Sequence, residues 1–223
     1  MLIPRIESAA NTLALALPSY AASQLADYVL LLMKWNKIYN LTAIRDVESM
    51  LVRNLFDCMA VVNPISEQLQ KLHDKGLPPR VLDVGCGAGL PGIVLAVCLP
   101  DVTVSMVDTV GKKTQFVQQA IAALKLNNAT VFSRRIEDHA IGAMAAREQA
   151  SIVTARAWTS LGDIAAVAGH CVAQGGCIMA MKGPRLAAEA ELLPAAWKLD
   201  SVINITVPEL SEARCLAKLV RED

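Results

Sequence analysis

The chain has 223 residues, 54% of them hydrophobic, and its 21 Lys and Arg balance 21 Asp and Glu to a formal net charge of zero. That length holds one α/β domain of roughly 140–150 residues with an appendage. The charge balance excludes a general electrostatic binder of nucleic acid, so any RNA partner has to be met by a local patch.

No apolar run approaches the ~18–20 residues of a membrane helix. The N-terminus has Arg5, Glu7 and an apolar run of only Leu13 to Leu17, which is not a secretory signal. Six cysteines (Cys58, Cys86, Cys98, Cys171, Cys177 and Cys215) sit inside apolar stretches and form no C-x-x-C pair. With only three histidines beside them, they read as buried reduced thiols of a cytoplasmic protein, without a zinc site.

The first 78 residues read as a helical extension. Ser19 or Ser23 is the expected cap of a helix with Leu25, Tyr28, Val29, Leu32, Met33 and Trp35 on one face. Asp46 is the expected cap of a second, with Met50, Leu51, Leu55, Met59 and Val62 on its face. Pro64 and the polar stretch from Gln68 to Lys75 lead to Gly76-Leu77-Pro78-Pro79, which cannot be helix interior and marks a boundary. Residues 79–223 then form the second unit.

That unit opens on Val81-Leu82-Asp83-Val84-Gly85-Cys86-Gly87-Ala88-Gly89-Leu90-Pro91-Gly92, followed by apolar Ile93, Val94, Leu95 and Val97 at helical spacing. Strand, tight loop and helix in this order begin a nucleotide-binding βαβ unit. A literal G-x-G-x-x-G spans Gly87 to Gly92, but the strand ends at Val84, so the turn glycine is Gly85. What stands in frame is D-x-G-x-G-x-G, with Asp83 in the strand end. No pyrophosphate needs cradling in that version, and an acidic side chain suits a cationic ligand such as S-adenosylmethionine, with its sulfonium and ammonium. A nicotinamide enzyme and a glycine turn that binds nothing stay open at this point.

Alternating units follow. The pattern predicts strand 81–84 and helix 91–98, strand 102–107 and helix 112–125, and strand 130–132 with a helix around 137–147. Strand 151–155 precedes a helix around 160–173, and strand 177–181 a helix around 184–196. Strands 201–207 and 215–220, joined by the short Pro208–Arg214 connection, suggest a terminal antiparallel hairpin. The fold class expected is α/β, Rossmann-like, with a mostly parallel sheet covered on both faces. Asp108 ends the second strand, where it can accept both hydroxyls of a ribose; its bland alternative is a carboxylate at a helix start.

Several segments together resemble the ribosomal small-subunit RNA methyltransferase G family, also called glucose-inhibited division protein B. They are Lys34-Trp35-Asn36-Lys37-Ile38-Tyr39-Asn40-Leu41-Thr42, Met50-Leu51-Val52-Arg53, the loop from Leu82 to Ile93, Asp108-Thr109-Val110-Gly111-Lys112-Lys113, Ser133-Arg134-Arg135-Ile136-Glu137, Ala155-Arg156-Ala157 and Met181-Lys182-Gly183. The likeness runs from about residue 20 to the C-terminus. It implies a methyltransferase fold with an N-terminal helical extension, S-adenosylmethionine as cofactor, and methyl transfer to N7 of one guanine in the decoding-region loop of 16S ribosomal RNA. Its partner would be that RNA within a small ribosomal subunit or an assembly intermediate, with no membrane and no metal. The chain departs from the family's Arg-His-x-x-Asp-Ser at Arg53-Asn54-Leu55-Phe56-Asp57-Cys58, has Cys86 in place of Thr or Ser, and carries an insertion near 140–149.

N7 of guanine has a lone pair and no proton, so no general base is required and positioning dominates. Neither Asn/Asp-Pro-Pro-Tyr nor Pro-Cys occurs, the motifs of exocyclic-amino and pyrimidine-carbon methylation. The cofactor candidates are Asp83, Gly85, Gly87, Gly89, Leu90 and Asp108, with Ile136 and Glu137 assigned to it by the resemblance; Glu137 also reads as a surface cap. Lys112, Lys113, Arg134, Arg135 and Lys182 are candidates for an RNA-phosphate patch, or simply solvated charges. Arg156 ends the fourth strand beside the cofactor–substrate junction. A direct fork onto N7 would block attack, which leaves an RNA phosphate or the cofactor carboxylate as its partner. The resemblance implies the cofactor side, and a structural ion pair is the alternative. The Trp35–Tyr39 pair reads as helix core or as a base-stacking platform. An RNA methyltransferase leads, followed by a methyltransferase for another substrate and by a non-catalytic ribosome-assembly factor.

Overall fold

Short apolar runs alternating with amphipathic ones build one seven-stranded sheet in the order β3-β2-β1-β4-β5-β7-β6. The computed structural model describes residues 2–138, 149–157, 159–183, 186, 189 and 192–222. The strands are β1 (Arg80–Val84), β2 (Thr103–Asp108), β3 (Ala129–Ser133), β4 (Ala150–Arg156), β5 (Val172–Lys182), β6 (Trp197–Ile205) and β7 (Arg214–Arg221). The first five are parallel, and β7 enters antiparallel between β5 and β6. The expected terminal hairpin is therefore present, with Ile205 opposite Arg214. Strand order reverses between β1 and β4, and the crevice outside the carboxyl ends at such a switch point is where α/β sheets bind ligands.

The N-terminal extension contributes α1 (Leu2–Thr12), α2 (Ala21–Tyr39), α3 (Val47–Met50), a π-helical stretch Leu51–Phe56, α4 (Asp57–Met59) and α5 (Val62–His73). Buried side chains of these helices, of one sheet face and of the helices Gly92–Cys98 and Gly111–Leu124 form a continuous cluster, including Ile6, Leu25, Leu32, Phe56, Val94 and Phe116. Asp46 caps α3 as expected, accepting the Ser49 N–H at 2.8 Å. Neither Ser19 nor Ser23 caps α2: the cap position is Tyr20, and Ser23 Oγ donates back to Tyr20 O at 2.9 Å from inside the first turn. Pro64 falls in the first turn of α5, where its missing N–H would have had no intrahelical acceptor.

On the sheet lie α6 (Gly92–Cys98), α7 (Gly111–Leu124) and α8 (Leu161–Ala168). The helix expected at 160–173 ends early, in a tight turn at Gly169–Cys171, and β5 begins at Val172 instead of 177. The cause is a bulge. Between Ala150↔Val172 and Ile152↔Cys177 the register advances two residues on β4 and five on β5, around Gly175 at φ +79°. Of the helix expected around 137–147, only a 3₁₀ turn at Ile136–Asp138 is described, and 139–148 lie outside the described residues. Of the segment expected as helix around 184–196, Leu186 and Glu189 are helical, residues 192–196 form turns and irregular backbone, and the others lie outside the described residues. Among the described residues, no helix is long and apolar enough to cross a membrane.

Candidate active site

The glycine loop is held by backbone bonds to the neighbouring strand and by two aspartates. Gly85 N–H and Cys86 N–H donate to Val107 O at 2.9 and 3.1 Å. Asp108 accepts the Gly87 N–H through Oδ2 at 2.9 Å and the Val110 N–H through Oδ1 at 2.8 Å, tying the loop to the start of α7. Asp83 is fully buried and its Oδ2 accepts the Gly92 N–H at 2.8 Å, while Oδ1 has no hydrogen bond. Burial pushes the Asp83 carboxyl up to about 7, against the pull of the Gly92 N–H and Arg156.

Two of the glycines have different reasons to be there. A Cβ on Gly87, at φ +58°, would meet only Gly85 O at 4.0 Å, so the loop is open on that side. A Cβ on Gly92 would stand 2.5 Å from Met106 Cγ and 2.9 Å from Asp83 Oδ2. The first leaves open space beside the loop, and the second lets α6 close on β2.

The helical extension buttresses the loop. Tyr28, buried in α2, donates through its hydroxyl to Ala88 O at 2.8 Å, and Gln24 Nε2 donates to Leu124 O at the end of α7. Trp35 packs edge-on against Phe116 at 5.7 Å, the core reading of that ring, and also against Tyr39 at 5.1 Å.

Two cavities open at the carboxyl ends of the strands. The first, about 470 Å³, is lined by Gly85, Asp108, Ile136 and Glu137 among others. Its volume is within the range of small-molecule sites. Asp83, Gly87, Gly89 and Leu90 do not line it. Asp83 lies beneath the loop, Leu90 is buried, and a Cβ on Gly89 would meet Ile93 at 2.7 Å, so that glycine serves the packing of α6. Glu137 is paired with Arg135 at 2.9 Å, which holds its carboxyl below the usual range.

The second cavity, about 410 Å³, is lined by Arg53, Asp57, Arg156, Lys182, Glu189 and Arg214, and Ala157 lines both. Ala157 sits at φ 49°, an uncommon backbone state for a residue with a Cβ. Arg156 belongs to this cavity and not to the first. Its guanidinium donates to Asn54 Oδ1 at 3.1 Å and to Arg53 O at 3.1 Å, and it lies 3.4 Å from Asp57 Oδ2. The π-helical winding of Leu51–Phe56 presents Arg53 O and Asn54 to it.

The basic candidates separate as well. Lys113, Arg134 and Arg135 line the first cavity, and Arg134 lies over the Phe132 ring at 4.7 Å. Lys112 is exposed. Lys182 lines the second cavity, where its ammonium is 2.7 Å from Glu189 and donates to Thr159 O.

Reasoning on the sequence assigned no role to Asn54, Asp57, Glu189 or Arg214. The available signal was Asp57, a carboxylate inside the apolar run Leu55-Phe56-Asp57-Cys58-Met59, where a charge needs a buried partner. Among the described residues no cluster could hold a metal ion. All six cysteines are buried thiols outside any disulfide, and burial pushes the Cys58 and Cys86 thiols up, away from nucleophilic use.

The fold is similar to a magnesium protoporphyrin IX methyltransferase from Synechocystis solved with bound SAM, at TM-score 0.53, 14% identity, and 88% and 98% coverage of the two chains. A ribosomal protein L11 methylase from Lactobacillus delbrueckii is similar at TM-score 0.52 and 12% identity, covering 71% and 77%. In sequence the chain is 43% identical to ribosomal RNA small subunit methyltransferase G of Bordetella avium, over 95% of this chain and 90% of that one. The same protein of Ralstonia nicotianae is 42% identical over 96% and 93%. The family model for rRNA small subunit methyltransferase G matches residues 21–217. The chain belongs to the rRNA small subunit methyltransferase G family.

Proposed function

We propose that this protein methylates N7 of one guanine in the decoding-region loop of 16S ribosomal RNA, with S-adenosylmethionine as the methyl donor. Membership of the family supports the enzyme class and the small-subunit RNA, and the arrangement of the site supports the chemistry. The observation that carries it is the junction at Ala157, where a nucleoside-sized cavity adjoins a second, charged one.

The residues of the first cavity fit the cofactor. Asp108 lines it with a carboxylate already oriented by two N–H groups, and its remaining lone pairs suit ribose hydroxyls. Ile136 offers an apolar wall for adenine, Gly85 and Gly87 let the backbone approach, and the buried Asp83 favours a cationic group above the loop. When bound, the cofactor supplies an electrophilic methyl on a sulfonium.

The second cavity would receive the guanine. N7 attacks with its own lone pair, no proton leaves, and the charge lost by the sulfonium reappears on the purine. The chain's task is to orient the two reactants, for which in-line positioning contributes about 7–11 kcal/mol in well-ordered cases. Lys112, Lys113, Arg134 and Arg135 form the local basic face for RNA phosphates on a chain of zero net charge. The protein acts in the cytoplasm, on RNA in a small subunit or its assembly intermediate.

The test uses labelled S-adenosylmethionine, purified protein and small subunits lacking the modification. Label mapped to a guanine as N7-methylguanine supports the reading. Label on another atom refutes it, and subunit binding without transfer points instead to an assembly factor.

A further inference from the structure

Among the described residues, four cations (Arg53, Arg156, Lys182 and Arg214) and two carboxylates (Asp57 and Glu189) line the second cavity. Two of the cations are committed inside it. Lys182 pairs with Glu189 at 2.7 Å, with side chains only 12% and 27% exposed, and Arg156 pairs with Asp57 at 3.4 Å. The other two meet a carboxylate from outside. Glu212 Oε1 is 2.6 Å from Arg53 Nη2, and Glu212 Oε2 is 3.8 Å from Arg214 Nη2. Glu212 does not line the cavity; it stands in the turn beyond Ile205↔Arg214, the last rung of the terminal hairpin.

We propose that Arg53 and Arg214 bind a backbone phosphate of the RNA strand at the mouth of the second cavity, and that Glu212 holds this site until the RNA arrives. The inference rests on the reading above in one respect, that a base of the RNA enters the second cavity, and does not depend on which atom is methylated.

A nucleotide whose base enters the cavity leaves its phosphates at the mouth. The Glu212 carboxylate offers one oxygen to each arginine, as the two non-bridging oxygens of a phosphodiester would, and the planar guanidinium suits both anions. The two cations stay in place when Glu212 leaves. Arg53 is fixed at its carbonyl, which accepts from Arg156 at 3.1 Å, and Arg214 is anchored through its Nε, 3.3 Å from Asp57. Exchange costs little, because Arg53 and Glu212 are 48% and 42% exposed and an ion pair of that exposure contributes little. The more buried Lys182–Glu189 pair has no such freedom.

Equilibrium binding of the full chain to small subunits lacking the modification, over about 50–200 mM salt, tests this without methyl transfer. Arg53→Gln should weaken binding and flatten its log–log salt dependence by about 0.7–0.9. Glu212→Gln should tighten binding by about two- to fivefold, the scale of an exposed ion pair no longer broken by the RNA. Made in Arg53→Gln, the same change should lose most of that gain, whereas simple relief of charge repulsion would persist there. Glu209→Gln removes an equal charge from the same turn, out of a pair with Arg5 at 2.6 Å, and should bind as wild type does.

Unchanged or weaker binding by a folded Glu212→Gln would make Glu212 a clasp of the hairpin and overturn the inference. So would an equal gain in the Arg53→Gln background. Wild-type affinity and salt slope in Arg53→Gln also overturn it, a result open even where the Glu212 variant fails to fold. All three leave the N7 reading standing, since the mapped label decides that; a wild type that does not bind small subunits removes both.

Discussion

Asp83 Oδ2 accepts the Gly92 N–H at 2.8 Å, joining β1 to the start of α6 across nine positions of the chain. The bond closes the glycine loop from below and leaves a buried carboxyl whose ionisation falls near neutrality, at about 7. That position sets a pH dependence with a definite sign. The unfolded carboxyl ionises at its ordinary 3.8, so the protein without cofactor keeps the full contribution of protonated Asp83 below that value. It loses this stability progressively as pH rises from there through about 7. A cationic cofactor prefers the ionised form. Its affinity should rise from about pH 6 to 8 in wild type and stay flat in Asp83→Asn, as titration calorimetry can check. Single-turnover rates at saturating cofactor should stay flat from about pH 6 to 9, because N7 has no proton to lose. A tenfold climb per pH unit there would point to a different target atom.

Asp108→Ala should weaken cofactor binding by roughly 1.5–3 kcal/mol, the scale of hydrogen bonds to a charged group. It should also lower the melting temperature, since Gly87 N–H and Val110 N–H lose their acceptor. Calorimetry paired with thermal unfolding separates the two effects. Unchanged affinity in a folded variant removes Asp108 from the site.

Gly87 and Gly92 should respond in opposite ways. Gly92→Ala places a methyl within 2.5 Å of Met106 and 2.9 Å of Asp83 and should destabilise the fold by about 1–3 kcal/mol, the usual penalty of overpacking. The Cβ of Gly87→Val meets no protein atom nearer than 4.0 Å, and the residue carries the strain of φ +58°, about 1–2 kcal/mol. It should stay folded and lose cofactor binding. Normal binding by a folded Gly87→Val would move the cofactor elsewhere.

Arg156→Ala breaks the tie between β4 and the π-helical stretch and leaves Asp57 with Arg214 alone. Because Arg156 lines the second cavity, the loss should fall on RNA turnover, by about 10–100-fold in kcat/KM, the scale of a hydrogen-bonded charge removed. Cofactor affinity should stay near wild type. Arg156→Lys should recover part of the rate, since an ammonium keeps the charge and loses the planar fork. An equal loss of cofactor affinity at matched stability would return Arg156 to the cofactor side.

For the basic face, removing Lys112 or Arg134 should reduce the salt dependence of RNA binding by about 0.7–0.9 in log–log slope for each phosphate no longer neutralised. Lys182→Gln should leave that slope unchanged, because its ammonium is already held by Glu189. A reduced slope in Lys182→Gln would mean that RNA displaces this ion pair.

The parallel core was legible in the sequence because its signals are local. Apolar runs such as Val81–Val84 and Val102–Val107, the glycine loop and the Asp108 that follows each reflect a constraint between near neighbours, and strand spacing orders them. Asp46 as a cap was readable for the same reason. What escaped depends on distant partners. Bulging of β5 around Gly175 is set by its register against β4, and the α2 cap by where the preceding turn lies. Arg156 could be placed at a strand end, but its bonds to Asn54, Arg53 and Asp57 join residues about 100 positions apart. A local pattern specifies a strand, a loop or a cap through backbone geometry over a few residues. Which charge meets which is decided by tertiary packing, since Coulomb attraction and desolvation depend on distance in space and not along the chain.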